Sequence, residues 1–199
     1  ESGCGKSLTS LAVIGLAPRG AEIGGTIEFQ GTDLLSVSPA RRRRYMGSEI
    51  AMIYQDALSS LNPAMTIESQ LKQFCRRGGR RTPTELLELV HLDAPRTLRA
   101  YPHELSGGQR QRVLIAMALS REPKLVIADE PTTALDVTVQ AQVMKLLLSL
   151  QKDLGFALIM VTHDLALMSE IADRVVVMNG GQVAEAGPID TVVGSPQHH

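Results

Sequence analysis

The sequence KLVIADE at residues 124–130 decides the fold class more clearly than any other stretch of the chain. Four apolar residues in succession are followed by two adjacent carboxylates, Asp129 and Glu130. A nearly continuous apolar run of this length predicts a strand that is buried on both faces. Two further segments have the same form, EIAMIYQ ending at Gln55 and ALIMVTH ending at His163. We therefore predict an α/β fold in which helices cover a mostly parallel sheet.

The polar residues at the ends of these three strands predict a ligand site. In open α/β sheets the ligand lies beyond the carboxyl ends of the strands. We therefore expect Gln55, Asp129, Glu130 and His163 to converge on one crevice.

Two other segments predict a small antiparallel portion. In GTIEFQG at residues 25–31, Ile27 and Phe29 alternate with polar neighbours, as in a half-buried strand. Near the carboxyl end, RVVVMN and QVAEAG flank Gly180 and Gly181, which predicts a hairpin.

Composition limits the class of protein. The chain has 199 residues, of which 44% are hydrophobic and 21% are charged, as in one ordinary globular domain. A formal net charge of -1 argues against non-specific binding of nucleic acid. Two cysteines without CxxC spacing favour a reducing compartment. Because no apolar stretch approaches the ~20 residues of a membrane span, we expect other chains to form any transport channel.

The sequence SGCGKS at residues 2–7 predicts a phosphate-binding loop, with candidate contacts from Ser2 to Leu8: Ser2, Gly3, Cys4, Gly5, Lys6, Ser7 and Leu8. Glycines let backbone N–H groups and a helix amino end approach a polyphosphate closely. Lys6 can then reach the terminal phosphates, and the Ser7 hydroxyl can bind Mg²⁺. The alternative is a fortuitous glycine-rich turn. Since Glu1 already lies inside the motif, we expect the natural chain to continue upstream.

The two carboxylates after the apolar run predict catalytic chemistry. Burying carboxylates is costly unless a cation or hydrogen-bond donors compensate. We expect Asp129 to hold Mg²⁺ through water. Glu130 would act as general base by polarising the water that attacks the γ-phosphate. The alternative is that these acids only cap the helix after the Pro131 turn.

A second glycine motif, LSGGQ at residues 105–109, precedes a helical pattern. Ser106, Gly107, Gly108 and Gln109 would form another anion-binding helix start. One polyphosphate does not need two distant cradles from the same subunit. We therefore predict a head-to-tail dimer in which each LSGGQ closes over the nucleotide of the other subunit.

Together these motifs resemble the ATPases of ABC transporters in order and approximate spacing. The match includes SGCGKS, Gln55, LSGGQ, LVIADE, the ALD of residues 134–136 and the His163 of VTHD. The resemblance implies a RecA-like P-loop core with a mostly parallel sheet, a small antiparallel β portion and an inserted helical subdomain near residues 60–108, within one domain over residues 1–199.

The resemblance also implies residue roles. Gln55 would join the network of Mg²⁺ and water, His163 would contact the γ-phosphate, and Asp136 would lie at the dimer interface. For each of these residues alone, a solvated polar residue at a strand end is the better interpretation. Their joint occurrence favours the functional one.

The segments QDALSSLNPAMTI, YPHELSGGQRQR and ADEPTTALDVTVQAQV closely resemble the ATPases of dipeptide, oligopeptide and nickel importers. This implies ATP and Mg²⁺ as ligands, a second ATPase subunit and membrane permeases as partners, and a solute-binding protein as an indirect partner. The location would be the cytoplasmic face of a bacterial or archaeal plasma membrane, and the chain would end before a carboxy-terminal extension. The alternatives are a soluble ABC-type ATPase and a non-catalytic regulatory subunit.

Overall fold

The computed structural model of the protein describes residues 4–133 and 135–194, and the side chain of residue 58 lies outside the description. The chain divides into two compact units. The larger unit is Gly25–Met160, and the smaller joins the described residues of Glu1–Gly24 and Val161–His199.

The secondary structure of the described residues alternates short strands with helices. In chain order the strands are β1 (Glu28–Phe29), β2 (Thr32–Asp33), β3 (Ile50–Ile53), β4 (Leu125–Asp129), β5 (Ala157–Val161), β6 (Arg174–Asn179) and β7 (Gln182–Pro188). The α-helices are α1 (Lys6–Ile14), α2 (Pro39–Tyr45), α3 (Ala57–Ser60), α4 (Ile67–Arg76), α5 (Pro83–Leu89), α6 (Ala94–Arg99), α7 (Gly107–Leu119), α8 (Val137–Leu154), α9 (Leu165–Ile171) and α10 (Ile189–Gly194).

The three apolar runs form one sheet with the strand order β3-β4-β5. Strands β3 and β4 pair in parallel, from Ile50 opposite Leu125 to Ile53 opposite Ala128. Because parallel strands need a crossover connection, helices occupy the chain between them. The predicted α/β class with a parallel sheet is therefore confirmed.

Burial differs between the three strands. Residues Val126, Ile127 and Ala128 of β4 are at most 1% exposed, as the continuous apolar run predicts. Strand β5 was expected to be equally buried, and this expectation is wrong, because Ile159 is 48% exposed. Ala157 and Ile159 lie on the same face of β5, and the described residues leave that face exposed to solvent.

Helices α4 to α7 pack on one another between β3 and β4. Their inward side chains are fully buried, among them Leu71 of α4, Leu86 and Leu87 of α5, and Ile115 of α7. Helices α4 to α6 start at N-caps whose side chains accept a backbone N–H. Helices α4 to α6 lie within residues 60–108, where a helical subdomain is predicted. The boundaries of that subdomain stay a prediction.

The antiparallel portions are smaller. Strands β1 and β2 pair over two residues each, so the strand predicted for residues 25–31 is shorter than its alternating pattern suggested. In the smaller unit, β6 and β7 form an antiparallel pair around Gly180 and Gly181, which confirms the predicted hairpin. Within the part of the chain that the structure describes, no helix combines the length and apolar character needed to cross a bilayer.

Candidate active site

The described part of the phosphate loop lies in the smaller unit, where it leads directly into α1. Gly5 has φ +91°, a left-handed conformation that favours glycine, and the helix begins at Lys6. The helix predicted to follow the loop is therefore confirmed. Ser7 and Leu8 lie exposed in its first turn. Ser2 and Gly3, which belong to the same predicted cradle, lie outside the described residues.

The loop contains a contact between an ammonium and a thiol. Lys6 Nζ donates to Cys4 Sγ at 3.1 Å. This hydrogen bond from Lys6 is the largest of the effects that lower the pKa of the Cys4 thiol. Burial has the opposite effect on Cys75, whose pKa is raised. The positive charge of Lys6 therefore lies beside Cys4, within the loop that is predicted to contact phosphate.

In the larger unit, the two carboxylates leave the sheet at the carboxyl end of β4. Asp129 is the last residue of the strand and is 7% exposed. Glu130 follows with φ +44°, in the left-handed region that a residue with a side chain rarely adopts. The chain therefore turns sharply between two adjacent acids, and they occupy different environments.

Side chains from two segments, Gln55 and Thr133, donate hydrogen bonds to the Glu130 carboxylate. Gln55 Nε2 donates to Glu130 Oε2 at 3.1 Å, across 75 residues of sequence. Thr133 Oγ1 donates to the same oxygen at 2.9 Å. The expected convergence of Gln55 with Glu130 is thus confirmed. Thr133 was missed, although a hydroxyl three residues after a carboxylate across a proline turn is a usable signal.

The helix that follows this turn is capped by another residue. Helix α8 starts at Val137, and Asp136 Oδ1 accepts the backbone N–H of Val139 at 2.9 Å. Neither Asp129 nor Glu130 caps α8, so the alternative interpretation of these acids as helix caps is wrong. Asp136 itself has a local structural role.

The LSGGQ motif starts α7, as predicted, and its polar side chains cap the helix. Ser106 Oγ accepts the N–H of Gln109 at 3.2 Å, and Gln109 Oε1 accepts the N–H of Ser106 at 2.9 Å. This reciprocal capping box fixes the first turn of the helix. The capping box therefore fixes the amino end of α7, where the first backbone N–H groups of the helix lie.

The two glycines of the motif lie against the segment around Asp136. A Cβ built on Gly107 would lie 3.0 Å from Leu135 Cδ2, and one on Gly108 would lie 2.4 Å from Val139 Cγ1. The second distance is shorter than real Cβ contacts, so α7 and α8 approach closely only because residue 108 has no side chain. These contacts could not be foreseen from the sequence, because they join residues about thirty positions apart.

His163 lies in the smaller unit, in the turn between β5 and α9, and is exposed. The following residue, Asp164, caps α9 by accepting the N–H of Leu167 at 3.0 Å. The expectation that His163 joins Gln55, Asp129 and Glu130 relates two separate units and stays a prediction.

Comparison with known proteins agrees with these local arrangements. A family model described as ABC transporter matches residues 1–133. The chain belongs to the ABC transporter family. Within this family it is similar to a putative peptide import ATP-binding protein of Brucella abortus, with 47% identity over 207 residues that cover 100% of this chain and 62% of the relative.

Other relatives in the ABC transporter family have related names. A dipeptide transport ATP-binding protein of Haemophilus influenzae is 47% identical, with 100% of this chain and 63% of the relative covered. An oligopeptide transport ATP-binding protein of Bacillus subtilis is 45% identical, with 100% and 58% covered. The chain thus spans less than two thirds of the length of these curated relatives.

Solved structures from the ABC transporter family confirm the fold. A dimeric ATP-binding cassette in a post-hydrolysis state with ADP and Pi matches with a TM-score of 0.77 and 25% identity, covering 95% of this chain and 82% of the other. A second dimeric structure, described as a bacterial ABC transporter cassette, matches with a TM-score of 0.78.

Proposed function

We propose that this chain carries the ATP-hydrolysing core of an ABC transporter that imports peptides or a related small solute. The observation that carries the proposal is the Glu130 carboxylate, held by Gln55 and Thr133 at the carboxyl end of β4, next to the buried Asp129. A carboxylate oriented at the ligand edge of an α/β sheet suits a general base. The names of the relatives support peptides as the solute class.

ATP binding is supported by the phosphate loop. The start of α1 offers backbone N–H groups and the positive end of a helix dipole, and Gly5 places no side chain in the turn before it. Lys6 would supply a positive charge for the terminal phosphates. The proposed cradle runs from Ser2 to Leu8.

The donor set fits Mg²⁺, which prefers oxygen ligands and retains water. Asp129 is a carboxylate with 7% exposure, and such a group is stabilised by a nearby cation. The amide oxygen of Gln55 and the hydroxyl of Ser7 complete the proposed set, with Asp129 acting through water. When bound, the ion neutralises charge on the phosphate oxygens.

Glu130 would accept a proton from the attacking water while His163 contacts the γ-phosphate. Phosphoryl transfer is catalysed mainly by positioning and electrostatic stabilisation, so the orientation of the base matters as much as its basicity. Gln55 supports this role by donating to the carboxylate from a separate segment.

A second ATPase subunit, identical or related, would complete the site. Residues 106–109 would close over the nucleotide held by the other subunit, with Asp136 at the interface. The capped start of α7 provides a preorganised anion-binding surface for this purpose, and the matching cassettes were solved as dimers. Permease subunits, and indirectly a solute-binding protein, would be the further partners at the cytoplasmic face of the plasma membrane.

The substitution Glu130→Gln in the intact gene product tests the proposal. We expect turnover to fall by ~10²–10⁴, the usual contribution of a positioned base, with ATP affinity retained. Glu122→Gln is a matched control, because Glu122 also has a positive φ but pairs with Arg80 and Arg81. Normal steady-state turnover by Glu130→Gln would remove Glu130 from the mechanism. A wild-type protein that binds ATP without turnover would instead indicate a regulatory subunit.

A further inference from the structure

We propose that Thr133 is a positioning residue that holds the Glu130 carboxylate in place for proton transfer. The inference rests on the proposed function, since it assigns Thr133 a role only if Glu130 acts as the base. Thr133 lies three residues after Glu130, on the same turn. Its hydroxyl donates to Glu130 Oε2 at 2.9 Å.

The carboxylate is the preferred acceptor for this hydroxyl. A threonine hydroxyl has one proton to donate. Thr133 Oγ1 lies 2.9 Å from the carboxylate oxygen but 3.4 Å from the Glu130 backbone carbonyl oxygen. Hydrogen bonds to charged acceptors are shorter and stronger than those between neutral groups. The side chain of Thr133 is therefore directed to the carboxylate more than to the backbone of the turn.

The turn that carries Thr133 is well anchored. Pro131 and Thr132 are buried, whereas Thr133 itself is exposed. An exposed side chain contributes little packing energy, so the consequence of losing its hydroxyl is the loss of the hydrogen bond. A loss of activity on removing this hydroxyl can therefore be assigned to the position of Glu130 rather than to a destabilised fold.

Thr133 and Gln55 hold the same carboxylate oxygen in different ways. Gln55 belongs to the segment after β3, so its contact depends on where that segment lies relative to the end of β4. Thr133 is joined to Glu130 through two intervening residues and moves with it. The contact from Thr133 therefore limits rotation of the carboxylate even when the segment after β3 is displaced.

The chemical role of Thr133 is limited to orientation. In ATP hydrolysis the water oxygen forms a bond to the γ-phosphorus while the bond from that phosphorus to the β,γ-bridging oxygen breaks. The water proton passes to Glu130. Thr133 keeps its own proton throughout, since it donates a hydrogen bond to the carboxylate without transferring the proton.

The test compares Thr133→Val, which removes the hydroxyl at similar volume, with Thr133→Ser, which keeps it. In the assembled complex of the intact gene product, we expect Thr133→Val to lower kcat by about ten- to 150-fold, as expected for one hydrogen bond to a charged group. KM and ATP affinity should stay within about twofold of wild type, and Thr133→Ser should restore kcat to about half or more. Thr84→Val, on an exposed threonine of α5, is the control for the same chemical change.

The decisive comparison makes Thr133→Val in a variant that already carries Glu130→Gln. If Thr133 acts only through the carboxylate, Thr133→Val should reduce the residual rate of Glu130→Gln by less than about twofold. A further loss equal to that in wild type would overturn the inference, as would a serine variant no more active than valine. Wild-type kcat in Thr133→Val, together with an inactive Glu130→Gln, would refute the positioning role and leave the proposed function intact. Normal turnover by Glu130→Gln would refute the proposed function itself.

Discussion

Replacing Gly108 by alanine should destabilise the fold through a contact inside the subunit. The added Cβ would lie 2.4 Å from Val139 Cγ1 and 3.9 Å from Val139 Cβ. Valine in a helix has one strongly preferred rotamer, so Val139 cannot turn away without strain. Overpacking of this kind costs about 1–3 kcal/mol, and the better helix propensity of alanine offsets up to about 1 kcal/mol.

We therefore expect a net loss of about 1–2 kcal/mol for Gly108→Ala. In a chain of this size that corresponds to a melting temperature lower by about 2–8 °C. Thermal unfolding followed by circular dichroism, without nucleotide, measures the effect separately from catalysis. Gly107→Ala is a matched control from the same helical turn, because its Cβ would meet the flexible end of Leu135 at 3.0 Å. Its melting temperature should change by less than that of Gly108→Ala.

The double variant Gly108→Ala with Val139→Ala identifies the contact responsible. Shortening residue 139 removes the atom that the new Cβ would meet. The double variant should be more stable than the sum of the two single effects by about 1 kcal/mol or more. Additive effects, or an unchanged melting temperature in Gly108→Ala, would refute the packing argument.

Two further predictions concern the phosphate loop and the dimer. Lys6→Ala should raise the pKa of Cys4, because it removes the largest of the effects that lower it. Thiolate absorbance against pH in a Cys75→Ala background measures this change, and an unchanged titration would contradict the Lys6 contact. Mixing a Lys6→Ala chain with a Ser106→Arg chain should partly restore ATPase activity, since one of the two composite sites in a mixed homodimer keeps an intact cradle and an intact LSGGQ. Full turnover by an isolated monomer, independent of concentration, would contradict the composite site.

Several elements could be predicted because their signals are local. A nearly continuous apolar run predicts a buried strand, and β3 and β4 follow that rule. Two glycines between β-prone segments predict a hairpin, and β6 and β7 form one. The serine and glycines of LSGGQ predict a helix start, and α7 begins there. Each signal lies within a few residues of the structure that it predicts.

The incorrect expectations depended on neighbours that a sequence pattern does not specify. Strand β5 has the same apolar pattern as β4, yet Ile159 is 48% exposed, because burial depends on which elements cover each face of a strand. The strand predicted for residues 25–31 is observed only as β1, at Glu28–Phe29, because a strand extends only as far as it pairs with a partner strand.

The sequence by itself determined the chemical groups of the candidate site: a glycine-rich phosphate loop, two carboxylates after an apolar strand, and a second glycine-rich helix start. Only the tertiary structure decided which groups meet. It brought Gln55 to Glu130 across 75 residues, directed the Thr133 hydroxyl to the same oxygen, and left room for no side chain at Gly108. The physical reason is that motif order records which residues are present along the chain, whereas hydrogen bonds and close contacts depend on distances that packing sets to within a few tenths of an ångström.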